Sequence, residues 1–210
     1  MIVAIDGPAA SGKGTLARRL AAHFNFAFLD TGLLYRATAL HLMMAGRQPG
    51  DGDAAEAAAK CVRADDLGDA RLRGEDIAQL ASIVAAIPSV REALLRFQRD
   101  FAVAPPHGKS GAVLDGRDIG TVVCPDARVK IFVTASVVAR AQRRLKELRD
   151  RGVGAIYGRV LQDMQDRDVR DSRRQTAPLK AAGDAFVLDT TDLDADAAFA
   201  IARDYVASKV

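Results

Sequence analysis

Gly7-Pro8-Ala9-Ala10-Ser11-Gly12-Lys13-Gly14-Thr15 is the stretch that decides the fold of this chain. An apolar run, Ile2-Val3-Ala4-Ile5, precedes it and an amphipathic one, Leu16 to Phe24, follows, so the order reads strand, glycine-rich loop, helix. Glycines let the backbone approach an anion closely, successive loop N–H groups point inward as donors, and the next helix offers the positive end of its dipole. Gly7, four further residues, Gly12 and Lys13 match the phosphate-loop pattern of nucleotide-binding proteins, with Lys13 placed to reach the β- and γ-phosphates. That pattern also calls for a downstream hydroxyl on magnesium. Gly14 follows Lys13 here, so the hydroxyl expected at the metal is that of Thr15.

Working outward, further apolar strand candidates alternate with helical patterns: Ala27 to Leu29, Gly111 to Leu114, Val129 to Val133 and Ala185 to Leu188. With the first they make five short buried strands, which predicts an α/β fold with a parallel sheet covered by helices on both faces and ligands at its carboxyl edge. Polar residues end these strands at Asp6, Asp30, Asp115, Thr134 and Asp189, some of them as helix caps. From about Gly46 to Lys109 the rhythm is interrupted by an insertion. It holds an alanine-rich helix at Ala54 to Ala59 read as solvent-facing, a hairpin candidate at Arg71 to Asp76, and a helical pattern from Ile77 to Phe101 with a helix start at Pro88.

The chain has 210 residues, 30 basic and 27 acidic, for a formal charge of +3. Mild basicity suits a phosphorylated ligand without choosing between a mononucleotide and a polyanion. Cys61 and Cys124 have neither metal-ligand spacing nor the density of a disulfide scaffold, which points to a reducing cytoplasm. The sequence opens on the first strand without a charged leader, and no apolar run reaches bilayer-spanning length. The expectation is a cytoplasmic protein, monomeric, with no membrane and no nucleic-acid partner.

Three other segments carry charge at informative places. Asp30-Thr31-Gly32-Leu33-Leu34-Tyr35-Arg36 ends the second strand and opens a helix, where Thr31 is a candidate cap and Arg36 a candidate bidentate phosphate ligand. Leu114-Asp115-Gly116-Arg117-Asp118-Ile119-Gly120 closes the third strand with an arginine for a second phosphate and a carboxylate able to accept from an exocyclic amine. Arg140 to Arg174 is rich in arginine, and Arg167 and Asp171, like Arg170 and Arg174, are neighbours four apart on a helix. Arg143, Arg149 and Arg173 read as solvated. Gly152-Val153-Gly154 interrupts the stretch and supplies a flexible lid.

Those motifs, Gly7 to Thr15, Asp30 to Arg36, Leu114 to Val123 and Arg167 to Leu179, together with Ala81 to Arg91 inside the insertion, resemble the bacterial cytidylate kinases of the phosphate-loop nucleoside monophosphate kinase family over essentially the whole chain. The resemblance implies a single domain spanning 1–210. Its core is roughly 1–45, 110–148 and 160–210, with a monophosphate-binding insertion at roughly 46–109 and a lid at roughly 149–159. It implies transfer of the γ-phosphoryl group of ATP, with Mg2+, to CMP or dCMP. Gly7, Pro8, Ala9, Ala10, Ser11, Gly12, Lys13, Gly14 and Thr15 would hold the ATP phosphates. Ser82, Arg91 and Asp118 would read cytosine, Arg36 and Arg117 would hold the acceptor phosphate, and Thr31 and Tyr35 would complete the acceptor contacts. Arg167 and Asp171 would lie at the sugar, and Arg167, Arg170 and Arg174 near the phosphates as catalytic charge beside Lys13.

Two other functions share parts of this pattern. A small kinase for UMP, AMP or a non-nucleotide alcohol would keep the glycine-rich loop and lack the set Ser82, Arg91 and Asp118. A nucleotide-dependent RNA-binding or regulatory protein would show steeply salt-dependent polyanion binding and benefit from aromatic stacking platforms, whereas aromatics are 5% here, Trp is absent, and the arginines alternate with carboxylates. His23, His41 and His107 lie outside every motif. Lys13→Ala is expected to lose most phosphoryl-transfer turnover while circular dichroism shows the fold retained; a near-normal rate would contradict the role given to Lys13.

Overall fold

The structure, a computed structural model, describes residues 1–209. In chain order its elements are β1 (Ile2–Asp6), α1 (Lys13–His23), β2 (Ala27–Asp30), α2 (Thr31–Met44), α3 (Gly52–Cys61), α4 (Glu75–Val84), α5 (Pro88–Val103), β3 (Ala112–Gly116), β4 (Val129–Thr134), α6 (Val137–Asp150), α7 (Tyr157–Arg173), β5 (Phe186–Asp189) and α8 (Ala195–Ala207). All strand pairings are parallel, in the order β2-β3-β1-β4-β5, so β1 lies at the centre. Its residues alternate between two cores. Val3 and Ile5 pack with Leu16 and Leu20 of α1 and Ala202 and Val206 of α8, while Ala4 faces Leu29, Leu114, Ile119 and Val123. Burial on both faces is why β1, β3 and β4 read as continuous apolar runs; β5, expected to be buried, is an edge strand that leaves Val187 54% exposed.

The chain leaves β1 to one side and returns to the other, so the ends of β1, β3 and β4 open a crevice at the carboxyl edge of the sheet. Gly7 sits in it under a tight constraint: an ideal Cβ there would lie 2.1 Å from the Val133 carbonyl oxygen of β4. Gly12 at φ 87° supplies the left-handed turn into α1, and no side chain caps that helix. The first N–H groups of α1 are therefore left for a ligand. Most other helices of the core close their own ends: Asp30 accepts from Gly32 N at 3.0 Å, Ser136 from Ala139 N at 3.2 Å, and Asp194 from Ala197 N at 2.8 Å.

Four local expectations change. The cap of α2 is Asp30; Thr31, instead of capping, donates its hydroxyl to the Asp115 carbonyl at 2.7 Å and pins α2 to β3. Arg71 to Asp76 is no hairpin: a 3-10 turn, Ala70–Arg73, runs into α4, because Asp69 accepts from Arg71 N at 2.8 Å and holds the chain in a turn. The alanine-rich helix α3 buries Ala55 and Ala59 in a second apolar cluster with Leu34, Leu72, Ile77, Val84, Val90 and Leu94. Arg143, read as solvated, donates to Thr190 Oγ1 at 3.0 Å, because α6 turns it toward the end of β5; Arg149 and Arg173 are exposed as expected. The helical pattern from Ile77 onward does break at Pro88, where α5 begins.

Asp6, at the end of β1, is buried and accepts from Ile119 N and Gly120 N, both at 2.8 Å. It thus holds the single π-helical turn Ile119–Val123 that follows Arg117 and Asp118. No single helix among the described residues is long and apolar enough to cross a membrane.

Gly7→Ala should destabilise the fold by about 1–3 kcal/mol through overpacking against β4, read as a fall in Tm of roughly 2–4 °C per kcal/mol for a chain of this size. Burial raises the Asp6 pKa from 3.8 to about 6. The folded state therefore takes up this proton more readily than the unfolded chain, and the associated stability is present below the unfolded value and lost as pH rises through 6. Wild type should accordingly gain stability relative to Asp6→Asn as pH falls from about 7 to 4, by an amount on the order of 3 kcal/mol or less; a gap constant across that range in denaturant melts would refute it.

Candidate functional site

A cavity of about 600 Å3 opens over the carboxyl edge of the sheet. One end is the glycine-rich loop, through Ala9, Ala10, Lys13 and Gly14. Its floor comes from the ends of β2 and β3, with Asp30, Thr31, Asp115 and Gly116. α4 and α5 of the insertion contribute Ser82 and Arg91, and α7 contributes Arg167, Asp171 and Arg174. The volume suits a small organic ligand or a pair of them.

Lys13 is half-buried at the opening of α1. Burial, and then the charge of Arg117, lower its pKa, while Asp115 and Asp30 draw it back up. Asp115 is pushed the other way, by burial first and then by Asp30. Its Oδ1 is buried with no hydrogen-bond partner, as is Nε of Arg167, whose pKa burial and Arg117 lower to about 10. Such a cluster of buried charge, with unmet donors on one side and an unmet acceptor on the other, is arranged for an anion that brings its own cation. Among the described residues no three His, Cys, Asp or Glu side chains form a ready-made metal site. Magnesium bound with a nucleotide needs only one or two carboxylates beside phosphate and water oxygens, and the orphaned Asp115 oxygen next to Lys13 fits that demand. Thr15, the hydroxyl expected there, is exposed on the first turn of α1 and does not line the cavity.

In the middle of the cavity Arg117 donates from Nε to Asp171 Oδ2 at 2.9 Å and from Nη1 to the Gly116 carbonyl at 3.1 Å. Burial alone would raise the Asp171 carboxyl; Arg117, Arg167 and Arg174 outweigh it and hold the pKa below the usual carboxylate range. Arg36 is anchored on the Leu72 carbonyl at 2.7 Å and lies close to Arg144, which pairs with Glu75 of α4 and, at 2.7 Å, with Glu147.

At the far end Arg91 and Asp118, both buried, form an ion pair. Arg91 also donates to the Ala85 carbonyl at 3.1 Å and lies over the Tyr35 ring, 5.4 Å from its centroid. Ser82 Oγ, beside them, accepts from Arg170 Nε at 3.3 Å, and Arg170 reaches Gln79 at 3.5 Å. Arg174 donates to the Ala85 carbonyl at 3.4 Å. Arg170 and Arg174 thus stand with Ser82 and Arg91, not with Lys13 as expected. At 1.5 Å rise per residue, Arg174 sits about 10 Å along the helix axis from Arg167, and of the three α7 arginines it is Arg167 whose charge is felt at Lys13.

The expected residues Lys13, Thr31, Tyr35, Arg36, Ser82, Arg91, Arg117, Asp118, Arg167, Asp171 and Arg174 all line this one cavity. Gly7, Pro8, Ser11, Gly12, Thr15 and Arg170 do not. Ser11 is fully buried, with its carbonyl bonded to Thr190 Oγ1 at 3.0 Å, so it holds the loop to the end of β5. Glu75 and Gln79 line the cavity and were not anticipated. Nothing local marks them, because their partners Arg144 and Arg170 lie 69 and 91 residues away.

A family model described as cytidylate kinase matches residues 3–207. A cytidylate kinase of Paramagnetospirillum magneticum is 64% identical over 208 residues, covering 99% of this chain and 98% of that protein. One from Rhodospirillum rubrum is 57% identical, covering 100% and 98%. Among solved structures, an uncharacterized protein from Eubacterium ventriosum superposes with a TM-score of 0.54 at 17% identity, covering 99% of each chain, a likeness of fold alone. With a match over nearly its full length, the chain belongs to the cytidylate kinase family.

Proposed function

We propose that the protein transfers the γ-phosphoryl group of MgATP to CMP or dCMP, giving ADP and CDP or dCDP. The observation that carries this reading is the polarity of one cavity: a glycine-rich loop with Lys13 at one end, and the buried Arg91–Asp118 pair beside Ser82 at the other. Between them lie Arg36, Arg117 and Arg167, where two phosphate chains would meet.

The loop Gly7 to Thr15 binds the ATP phosphates through its N–H groups and Lys13. Arg36 and Arg117 hold the acceptor phosphate, and Thr31 and Tyr35 shape the wall beside it. Asp118 accepts from the cytosine amine and Arg91 donates to ring acceptors. Uracil presents a carbonyl where cytosine has the amine, and leaves Asp118 unpaired. Asp171 and Arg167 lie at the sugar. Arg167 is also the arginine assigned to the transferring group, with Arg170 and Arg174 orienting Ser82 and the Ala85 carbonyl at the base end.

No general base is required. The second pKa of a phosphate monoester is about 6, so the nucleophilic oxygen is already largely ionised at neutral pH. That oxygen bonds to the γ-phosphorus as the bond to the β–γ bridging oxygen breaks, and the electron pair leaves on ADP. Lys13 and Arg167 meet the charge spread over the equatorial oxygens. Magnesium bound with ATP would be held by Asp115, and by Thr15 only if the loop closes on the nucleotide, and would supply further neutralisation of the phosphates. Residues 149–159 act as a lid that excludes water from the γ-phosphate, and 46–109 as the acceptor-binding part. We read the enzyme as a cytoplasmic monomer acting on free nucleotides, without nucleic-acid or membrane partners.

The test is ADP release from MgATP with CMP, dCMP, UMP, AMP or no acceptor. Turnover confined to the cytidine acceptors is expected. Preference for UMP or AMP would remove the roles of Ser82, Arg91 and Asp118, and no acceptor-dependent turnover would overturn the reading.

A further inference from the structure

Arg140 and Asp168 belong to none of the ligand contacts above, yet their pair joins three segments of the site. The Arg140 side chain is 5% exposed and forks onto Asp168, Nη1 to Oδ1 at 3.0 Å and Nη2 to Oδ2 at 2.5 Å. Its Nε donates to the Ala135 carbonyl at 2.9 Å, and Nη1 also donates to the Ala9 carbonyl at 3.3 Å. One guanidinium therefore ties the end of β4, the third residue of the glycine-rich loop, and the helix that carries Arg167 and Asp171. Only the planar five-donor fork of arginine can serve all three at once. Packing repeats the connection: the Ala9 methyl lies in an apolar cluster with Ala141, Leu148, Val160 and Met164 of α6 and α7.

The Ala9–Ala10 peptide is planar and trans, so its carbonyl and its N–H point in opposite directions. Holding the oxygen at Arg140 aims the Ala10 N–H away from α6. Ala10 stands at φ 57°, a left-handed conformation that a residue with a Cβ adopts only under constraint. Among the described residues no backbone or side-chain group accepts from its N–H, and Ala10 lines the cavity at the loop end.

We propose that Arg140, oriented by Asp168, is a positioning residue: it fixes the Ala9–Ala10 peptide so that the Ala10 N–H donates to the phosphates of the donor nucleotide, and it sets that donor against the arginine helix. The proposal rests on the phosphoryl-transfer reading for the identity of the ligand. It makes donor affinity depend on two side chains that touch no substrate.

Asp168→Asn keeps the size of the side chain and removes its charge and one acceptor. Calorimetric titration with ADP, without acceptor, should show an affinity about tenfold weaker, the effect of one hydrogen bond to a charged group. KM for ATP should rise in step while KM for CMP changes by less than about twofold. Arg140→Lys should show the same donor-side loss, since one ammonium cannot span Ala9, Ala135 and Asp168, and Asp168→Glu should recover part of it. Melting without nucleotide reports whether each variant is folded. Unchanged ADP affinity in folded Asp168→Asn and Arg140→Lys would overturn the proposal, as would equal rises in both KM values, which mark a general structural role. If the wild type showed no CMP-dependent ADP release, the phosphoryl-transfer reading would fall, and the ADP titration would still decide this one.

Discussion

Crowded, half-buried positive charge is the constraint on which the rest of the site depends. Lys13, Arg36, Arg117, Arg144 and Arg167 share one cavity, and several are shifted by one another's charge as well as by burial. The fold tolerates this because carboxylates are threaded through the cluster: Asp171 on Arg117, Glu75 and Glu147 on Arg144, and Asp30 and Asp115 around Lys13. Buried charges that are paired in this way cost far less than isolated ones, and removing one partner exposes the full penalty of the other. Among the buried atoms without a partner, Arg167 Nε and Asp115 Oδ1 flank Lys13, where a phosphate chain and its cation would complete them.

α7 spreads chemistry along the cavity in a way that spacing alone obscures. Arg167, Arg170, Asp171 and Arg174 look like one basic cluster in the sequence, but a helix converts seven residues into about 10 Å. Arg167 therefore belongs with Lys13, Asp171 with Arg117, and Arg170 and Arg174 with Ser82 and Ala85. A single rigid element thus runs from the Lys13 end of the cavity to the Ser82 end, which fixes the distances among these side chains better than separate loops could.

The sheet was legible because buried parallel strands are short apolar runs, and the glycine-rich loop because its spacing reflects a backbone requirement. Pro88 announced the start of α5 for the same local reason. Local signals failed where a tertiary partner took over. Thr31 resembled a cap, but Asp30 holds that position and the Thr31 hydroxyl goes 84 residues away to Asp115. Alanines 54 to 59 looked solvated because alanine carries little hydrophobic signature, and yet Ala55 and Ala59 are small enough to let α3 pack closely. Arg143 looked solvated by composition and is held on Thr190. Glu75, Gln79 and Arg140 entered the argument only through partners far along the chain, a kind of information that periodicity does not carry.

The apolar cluster of the insertion is separate from the two that sandwich the sheet, and α2 links them, with Thr31 fastened to β3 and Leu34, Leu40 and Leu42 sunk in the other cluster. α5 makes a second link: Leu94 lies in the insertion cluster, Ala102 packs with Leu114 and Val123, and Arg99 donates to the Val123 carbonyl at 3.0 Å. With Arg91 of α5 paired to Asp118 just past β3, the insertion and the edge of the sheet are coupled at the cavity itself, so a shift of α5 is felt where the strands end.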